Sequence, residues 1–217
     1  MLIRPATESD LPQVRHINTY YILHTSLTFA QHPLPPPSYA KTYHHNLAKG
    51  LPYLVATDEA QKWEDDSPLV LGYAYLSPYR GDRLSYAPTV ELTLFVHPEY
   101  HSQSIGSQLL SALLDKVRAG EVRHRASEDT GDGHLEMGYG DDGRPGVPVR
   151  NVLAVMSVDP EGKDGGEALR RWYVQRGFVE RGRLEKIGRK WGRCIEWRRS
   201  ESVYWTVIIV WLHFCLI

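Results

Sequence analysis

The stretch from residue 90 to residue 118, VELTLFVHPEYHSQSIGSQLLSALLDKVR, constrains the fold most. An apolar run ends at His97-Pro98, a polar Ser/Gln/Gly loop follows, and an amphipathic pattern begins near Ile105. This order predicts a strand, a loop and a helix. Backbone N–H groups at a helix N-terminus lack intrahelical partners and carry a partial positive charge. The loop therefore predicts a site for a phosphate or pyrophosphate group, with the Glu91 carboxylate on the strand that leads to it.

The rest of the chain alternates strands and helices. The residues after the loop that recur at helical spacing form one apolar face: Ile105, Leu109, Leu110, Leu113, Leu114 and Val117. Further strands are predicted at residues 2–4, 52–58, 69–76, 89–96, 151–158 and 178–187, and further helices at 11–21, 38–49 and 167–176. Thr7 and Asp10 resemble a capping box, and Gly177 ends the last helix. This order predicts an α/β sheet with helices on its faces.

Composition limits the classes of function. The chain has 217 residues, which fits one or two domains, and its net charge of −1 gives no electrostatic footprint for nucleic acid. No basic run indicates a membrane surface. Cys194 and Cys215 are too few for a disulfide framework, and the N-terminus has no apolar signal segment. A cytoplasmic protein with reduced thiols is therefore expected.

Residues 119–147 are rich in Gly and Asp and have no apolar period, so they predict a mobile surface insertion. The aspartates of this segment do not keep the alternating spacing of a calcium loop. His44 and His45 are adjacent and therefore face different directions on a helix. We expect no metal cofactor.

The apolar segment 203–217, VYWTVIIVWLHFCLI, is the least regular part of the chain. As a helix it would span about 22 Å, which is short of the roughly 30 Å hydrocarbon core of a bilayer. Its Val, Ile, Trp and Tyr residues favour a strand. A buried last strand is the preferred interpretation, and a weak membrane anchor or a poorly packed tail are the alternatives.

Four segments together resemble the GNAT superfamily of acyl-CoA-dependent N-acetyltransferases, and most closely its phosphinothricin acetyltransferase family. These segments are IRPATESD, YYILHTSLTF, GYAYLSPYR with PTVELTLFVHPEY, and WYVQRGF with ERGRLEKIG. The resemblance implies a mixed, mostly antiparallel sheet with helices on both faces, in a domain of residues 1–198. It also implies acetyl-CoA as co-substrate and suggests a homodimer. Residues 199–217 depart from the family pattern, and residues 204–211 are candidates to replace the family's last strand.

The resemblance assigns the phosphate loop. The family pattern Gln/Arg-x-x-Gly-x-Gly/Ala matches six residues: His101, Ser102, Gln103, Ser104, Ile105 and Gly106. The predicted phosphate loop consists of these six residues and Ser107. An alignment that begins at Gln103 recovers the first residue of the pattern. We prefer the alignment that begins at His101, because it starts the helix where the apolar face starts. His101 and Ser104 depart from the pattern, and a Cβ at Ser104 predicts weaker CoA binding.

The same resemblance assigns the reacting groups. Glu91 matches the family's base, which deprotonates the acceptor ammonium, and Tyr173 matches the acid that protonates the CoA thiolate. Backbone groups of Phe95 and Val96 are expected to bind the pantetheine arm and polarise the acetyl carbonyl. The alternatives are an ion pair of Glu91 with Arg80 or Arg83, and a purely structural role for Tyr173 in the core.

The expected acceptor is the primary amine of a small amino-acid-like molecule, whose carboxylate arginines can bind. Its pocket is predicted to draw on Tyr21, Phe29, Tyr75, Arg80, Arg83 and Tyr86. Two other functions remain open: acetylation of a protein or peptide amine, and a CoA-binding module without catalysis.

Overall fold

The computed structural model describes residues 1–159, 162–191 and 202–214. Its strands are β1 Leu2–Pro5, β2 Tyr53–Lys62, β3 Pro68–Pro78, β4 Thr89–Val96, β5 Arg123–His124, β6 Ser127–Asp129, β7 Leu135–Met137, β8 Val147–Pro148, β9 Asn151–Val158, β10 Val179–Trp191 and β11 Ser202–His213. Its α-helices are α1 Leu11–His24, α2 Pro36–Ala48, α3 Ile105–Arg118 and α4 Glu167–Val174.

Seven of these strands form one sheet in the order β1-β2-β3-β4-β9-β11-β10. Neighbouring strands are antiparallel except for the central pair, β4 and β9, which is parallel. Residues of α3 and α4 pack in one apolar cluster with the sheet, and residues of α1 and α2 pack in a second. The prediction of a mixed, mostly antiparallel sheet with helices on both faces is therefore confirmed.

The apolar face of α3 packs on the sheet as its spacing predicts. Leu109, Leu110 and Leu113 are at most 1% exposed and lie in the larger apolar cluster. Burying a leucine side chain contributes about 1.5–3 kcal/mol. This packing fixes where the N-terminus of α3 meets the sheet.

The two central strands separate partway along their length. Thr89, Val90 and Glu91 of β4 pair with residues 151–153 of β9, and the pairing ends there. Beyond Glu91, β4 stays paired with β3 as far as Val96, while β9 stays paired with β11 as far as Val158. A gap therefore opens in the sheet between residues 92–96 and 154–158.

Helix boundaries follow the sequence signals with three corrections, the first being that α1 extends to His24 rather than ending at Tyr21. Thr7 and Asp10 form the predicted capping box, with Thr7 N donating to the Asp10 carboxylate at 2.7 Å. The second helix begins at Pro36 rather than Ser38, because prolines fit the first helical turn, where their missing N–H has no partner to lose. The last helix ends at Val174 rather than Arg176, and Gly177 follows with φ 89°.

Residues 119–147, predicted as a mobile surface insertion, contain regular structure that their composition did not indicate. The segment contains two small antiparallel ladders, β5 with β8 and β6 with β7, and Val122, His124 and Ala126 are buried. The Arg123 guanidinium holds the segment together through two bonds to Asp142, at 3.0 and 2.8 Å. Polar bonds of this kind leave no apolar period in the sequence.

The apolar segment that follows residue 202 forms β11, which lies between β9 and β10. The preferred interpretation of this segment as a last strand is confirmed for residues 202–213. Cys194, Cys215 and the departure from the family pattern at residues 192–201 lie outside the described residues. Over the part of the chain that the structure describes, no helix is both long and apolar enough to cross a membrane.

Candidate active site

A cavity of about 880 Å³ occupies the gap between β4 and β9. Its walls come from the ends of both strands, from the loop before α3, from α4 and from the segment that joins α1 to α2. Ligand pockets of enzymes have volumes of about 300–1,000 Å³. The gap is therefore large enough to hold a ligand that passes between the strands.

The predicted phosphate loop lies at one end of this cavity. α3 begins at Ile105, as the preferred register requires. Six of the seven predicted loop residues line the cavity: His101, Ser102, Ser104, Ile105, Gly106 and Ser107. Gln103 is exposed and does not line it. A Cβ at Gly106 would lie 3.4 Å from Val96 Cγ2, at van der Waals contact, so α3 packs directly on β4 at this residue.

Two serines of the loop adopt left-handed backbone conformations. Ser102 has φ 64° and Ser104 has φ 60°. A residue with a Cβ pays about 1–2 kcal/mol in this region, whereas glycine does not. Ser104 occupies the position where the family pattern has its inner glycine, and it adopts a backbone conformation that suits glycine at a cost in strain.

A hydrogen-bonded chain connects the loop to α1 and β4. The Tyr21 hydroxyl lies 2.7 Å from the Val96 carbonyl oxygen and 2.7 Å from His101 Nε2. A carbonyl can only accept, so Tyr21 donates to Val96 and His101 Nε2 donates to Tyr21. The sequence assigned Tyr21 to the acceptor pocket and His101 to the phosphate loop. The structure brings the two side chains together.

Arg176 is a cavity residue that sequence reasoning missed. Its guanidinium donates to Ser107 Oγ at 2.7 Å and to the Trp172 carbonyl at 2.8 Å, and it stacks 3.9 Å from the centre of the Trp172 ring. No carboxylate among residues 1–159, 162–191 and 202–214 forms an ion pair with it. Its positive charge therefore adds to that of the α3 N-terminus. An arginine directly before Gly177 was the only signal in the sequence.

Backbone direction in β4 identifies the groups that face the gap. His97 N–H donates to Leu71 O on β3 at 2.8 Å. Backbone groups alternate in direction along an antiparallel strand. Phe95 therefore directs its N–H towards β3, and Leu94 and Val96 direct theirs towards the gap. Of the two predicted backbone donors, only Val96 directs its N–H towards the gap, and both Phe95 and Val96 line the cavity.

Glu91 is the last residue of β4 that pairs with β9, and its side chain is half-buried. Burial raises the pKa of its carboxyl, and the nearby positive charge of Arg80 partly opposes this. Within the described residues the carboxylate has no hydrogen bond or ion pair, so the predicted alternative of a pair with Arg80 or Arg83 is not formed. Glu91 lies beside the cavity lining, whose nearest members on the strand are Leu92 and Thr93.

Tyr173 lies in α4 and lines the cavity. Its ring packs edge-on against Trp172 at 4.8 Å and Phe178 at 5.1 Å between centroids. Burial raises the pKa of its hydroxyl, so the group stays protonated at neutral pH. Tyr173 therefore brings a protonated hydroxyl to the residues that line the cavity.

The six predicted acceptor residues fall into two groups. Tyr21, Phe29 and Tyr75 line the cavity. The other three are outside its lining, in the loop between β3 and β4: Arg80, Arg83 and Tyr86. Burial raises the pKa of Tyr75, and a hydrogen bond to Tyr79 raises the pKa of Arg80. The charge of Glu91 adds to both shifts, so both residues lie near this carboxylate. Arg83 is exposed.

The comparisons with known proteins define the class of this protein. The sequence model described as "Acetyltransferase (GNAT) family" matches residues 18–133, which is 116 of the 217 residues. The chain therefore belongs to the GNAT family of acetyltransferases and is an enzyme. Acetyltransferases of this family take their acetyl group from acetyl-CoA. The loop, the α3 N-terminus and Arg176 fit the phosphates of that co-substrate, and the described residues contain no cluster of metal-ligating side chains.

Within the family the chain is similar to enzymes named for small amino-acid-like substrates. It is 30% identical to phosphinothricin N-acetyltransferase of Streptomyces coelicolor over 193 residues, which covers 88% of this chain and 89% of that protein. It is 29% identical over 119 residues to the L-methionine sulfoximine/L-methionine sulfone acetyltransferase of Salmonella typhimurium, with 54% and 64% covered.

Solved structures show the same fold. The phosphinothricin acetyltransferase of Sinorhizobium meliloti, crystallised with acetyl-CoA, matches with a TM-score of 0.67 at 23% identity over 98% of this chain and 87% of that chain. The ribosomal-protein-alanine N-acetyltransferase of Brucella melitensis matches with a TM-score of 0.71 at 21% identity, covering 99% and 100%.

Replacing Ser104 by glycine tests the strain in the loop. Ser104→Gly is expected to raise the free energy of unfolding by about 0.5–1 kcal/mol and to tighten CoA binding, because glycine adopts φ 60° freely. Urea unfolding and CoA titration calorimetry measure the two effects. Ser111→Gly, inside α3, is the matched control and should lose about 0.5–1 kcal/mol. A destabilised Ser104→Gly variant would contradict the strain argument.

Replacing Arg176 by methionine tests the cation in the cavity. Arg176→Met keeps the contact with Trp172 but removes the charge, and it is expected to weaken CoA binding by about 10- to 100-fold. The CoA affinity of Arg176→Lys should lie between those of the wild type and Arg176→Met, since lysine keeps the charge but lacks the planar guanidinium. Calorimetry at two salt concentrations measures the loss. Arg171→Met, on the exposed side of α4, is the control, and equal effects of Arg176→Met and Arg171→Met would rule out a phosphate contact.

Proposed function

We propose that this enzyme transfers the acetyl group of acetyl-CoA to the primary amine of a small amino-acid-like molecule. The observation that carries the proposal is the half-buried, unpaired Glu91 carboxylate where the gap begins, with Arg80 nearby. Arg80 offers a cation to the acceptor's acidic group, and Glu91 offers a base to its ammonium. The names of the similar enzymes, which act on phosphinothricin and methionine derivatives, support the same class of acceptor.

Glu91 acts first in the proposed mechanism. An alkylammonium group has a pKa near 10 and cannot attack a thioester until it loses a proton. The Glu91 carboxylate takes that proton, directly or through one water molecule, and the neutral amine nitrogen forms the new bond to the acetyl carbon. The raised pKa of Glu91 makes its carboxylate a better base at neutral pH than an exposed glutamate.

The gap supplies the remaining groups. The backbone N–H groups of Leu94 and Val96 face it and stabilise the negative charge that develops on the acetyl oxygen. Tyr173 gives its hydroxyl proton to the departing thiolate as the carbon–sulfur bond breaks, and the second proton, which the nitrogen loses on forming the amide, passes through solvent to restore the Tyr173 hydroxyl. The α3 N-terminus, with Arg176 beside it, holds the phosphates at the far end of the cavity.

A panel of amines tests the function. Purified protein is mixed with acetyl-CoA, and free thiol is followed with phosphinothricin, methionine sulfoximine, methionine sulfone, ordinary amino acids and short peptides as acceptors. A thermal shift with CoA is measured alongside. Release with amino-acid-like amines supports the proposal. Release with peptides alone would establish the peptide alternative, and a thermal shift with no release would establish a binding module without catalysis.

Two further expectations are proposals of the same kind. The family resemblance suggests a homodimer, which light scattering of the purified protein tests. A cytoplasmic location is expected from the sequence, and fractionation of cells that express the tagged chain tests it.

A further inference from the structure

The segment that joins α1 to α2 forms one wall of the cavity. Within it, Leu27, Thr28 and Phe29 line the cavity next to Tyr21, in the last two turns of α1. We call residues 25–30 the α1–α2 loop. Tyr21 and Tyr75 pack on the sheet face that carries α1 and α2. Burial raises the pKa of Tyr75 and the charge of Glu91 adds to this effect, so Tyr75 lies near Glu91. The loop therefore borders the acceptor end of the cavity.

The α1–α2 loop is held from the opposite side of the gap. Lys190 of β10 donates its Nζ protons to the carbonyl oxygens of Thr25, at 2.8 Å, and Thr28, at 3.3 Å. Ser157 of β9 donates its hydroxyl to the carbonyl oxygen of Ser26 at 2.5 Å. Both donors belong to the half of the sheet that lies beyond the gap from β4. The loop thus spans the opening in the sheet and is tied to its far side.

Lys190 is buried, which is unusual for a lysine. Its side chain is 8% exposed, and burial lowers the pKa of its amine to about 8. A buried ammonium is costly unless hydrogen-bond acceptors surround it. An ammonium has three donors and no acceptor, so carbonyl oxygens are suitable partners. The position of Lys190 is therefore explained by the carbonyl groups that it binds in the α1–α2 loop.

We propose that Lys190, assisted by Ser157, is a positioning residue that holds the α1–α2 loop across the gap and so shapes the acceptor end of the cavity. The acceptor part of this inference rests on the proposed function. Loss of the ammonium frees the carbonyl groups of Thr25 and Thr28 from the far half of the sheet and leaves Ser157 as the remaining tie. Phe29, which is 49% exposed, then loses its fixed place in the wall, and the acceptor binds less tightly.

Replacing Lys190 by methionine, which keeps the length of the side chain, tests the tie directly. Hydrogen–deuterium exchange of the amides of residues 25–30 is expected to rise about tenfold or more, while exchange in α3 stays unchanged. The KM for the best acceptor of the panel is expected to rise about tenfold or more, with an unchanged Kd for CoA. Ser157→Ala should give a smaller change of the same kind, and it also tests the tie if Lys190→Met does not fold.

Two variants serve as controls. Lys186→Met removes an exposed lysine of the same strand and should change neither exchange nor KM. Lys190→Arg keeps a charge and several donors and should recover part of the protection of residues 25–30. If Lys190 only filled space, methionine would replace it better than arginine, and Lys190→Met would have a lower KM than Lys190→Arg.

Each outcome decides between the parts of the inference. Unchanged exchange of residues 25–30 in folded Lys190→Met and Ser157→Ala overturns the tie. Faster exchange with an unchanged acceptor KM overturns the acceptor role while the tie stands. Faster exchange in the variants, together with a wild-type protein that acetylates no amine of the panel, supports the tie and counts against the proposed function.

Discussion

Glu91→Gln is expected to lower kcat by about 10³-fold and to leave the Kd for CoA unchanged. General-base catalysis contributes about 10²–10⁴-fold, and glutamine matches glutamate in shape but cannot accept the ammonium proton. The steady-state rate of thiol release with the best acceptor measures kcat, and titration calorimetry measures the Kd for CoA. Equal turnover in the variant would remove Glu91 from the mechanism.

The melting temperature of Glu91→Gln and the pH dependence of kcat distinguish a catalytic role of Glu91 from a structural one. Burial raises the folded-state pKa of Glu91 above its ordinary value, so ionisation of Glu91 lowers the stability of the fold: the cost is complete above the raised pKa and disappears below the ordinary pKa. Glu91→Gln should therefore have an equal or higher melting temperature at neutral pH. A structural ion pair would give the opposite result. The wild-type kcat should fall as the pH drops through the raised pKa, because the base becomes protonated.

Tyr173→Phe is expected to lower kcat by about 10²-fold, the lower end of the range for a general acid. Within the described residues, the Tyr173 hydroxyl has no hydrogen-bond partner, while its ring packs against Trp172 and Phe178. The variant should therefore keep its melting temperature and its Kd for CoA. Rapid-quench measurement of the chemical step tests the effect.

A matched control isolates the hydroxyl of Tyr173 from the effect of tyrosine replacement in general. Tyr139→Phe, at an exposed tyrosine of the insertion, should have wild-type kcat. Because burial raises the pKa of Tyr173, the wild-type enzyme should show no loss of activity from its ionisation between pH 7 and pH 9. Wild-type kcat in Tyr173→Phe would leave Tyr173 as a core aromatic.

The phosphate end of the site could be predicted because its determinants are local. The apolar spacing from Ile105 to Val117 set the helix start, and the start of α3 fixed the register of the loop. Glu91 was found for a similar reason, since it lies on the strand that leads into that loop. The strand at residues 202–213 was visible in its own β-branched and aromatic composition.

The remaining parts depend on contacts between distant residues. The gap arises because the pairing of β4 with β9 ends at Glu91 while β4 stays paired with β3 and β9 with β11, and no residue type marks that point. The contacts of Arg176 with Ser107 and of Lys190 with Thr25 join segments 69 and 165 residues apart. Arg80, Arg83 and Tyr86 were grouped with the pocket aromatics by composition, and the structure separates them from the cavity lining.

The place of β11 in the sheet has a consequence for biosynthesis. β11 follows β10 in the chain but lies between β9 and β10, so both of those strands keep an open edge until β11 has left the ribosome. Open strand edges are templates for pairing between chains. The nascent enzyme therefore cannot complete its sheet during translation of its first 200 residues, and a ribosome stalled before residue 202 would hold an aggregation-prone intermediate on which a chaperone can act.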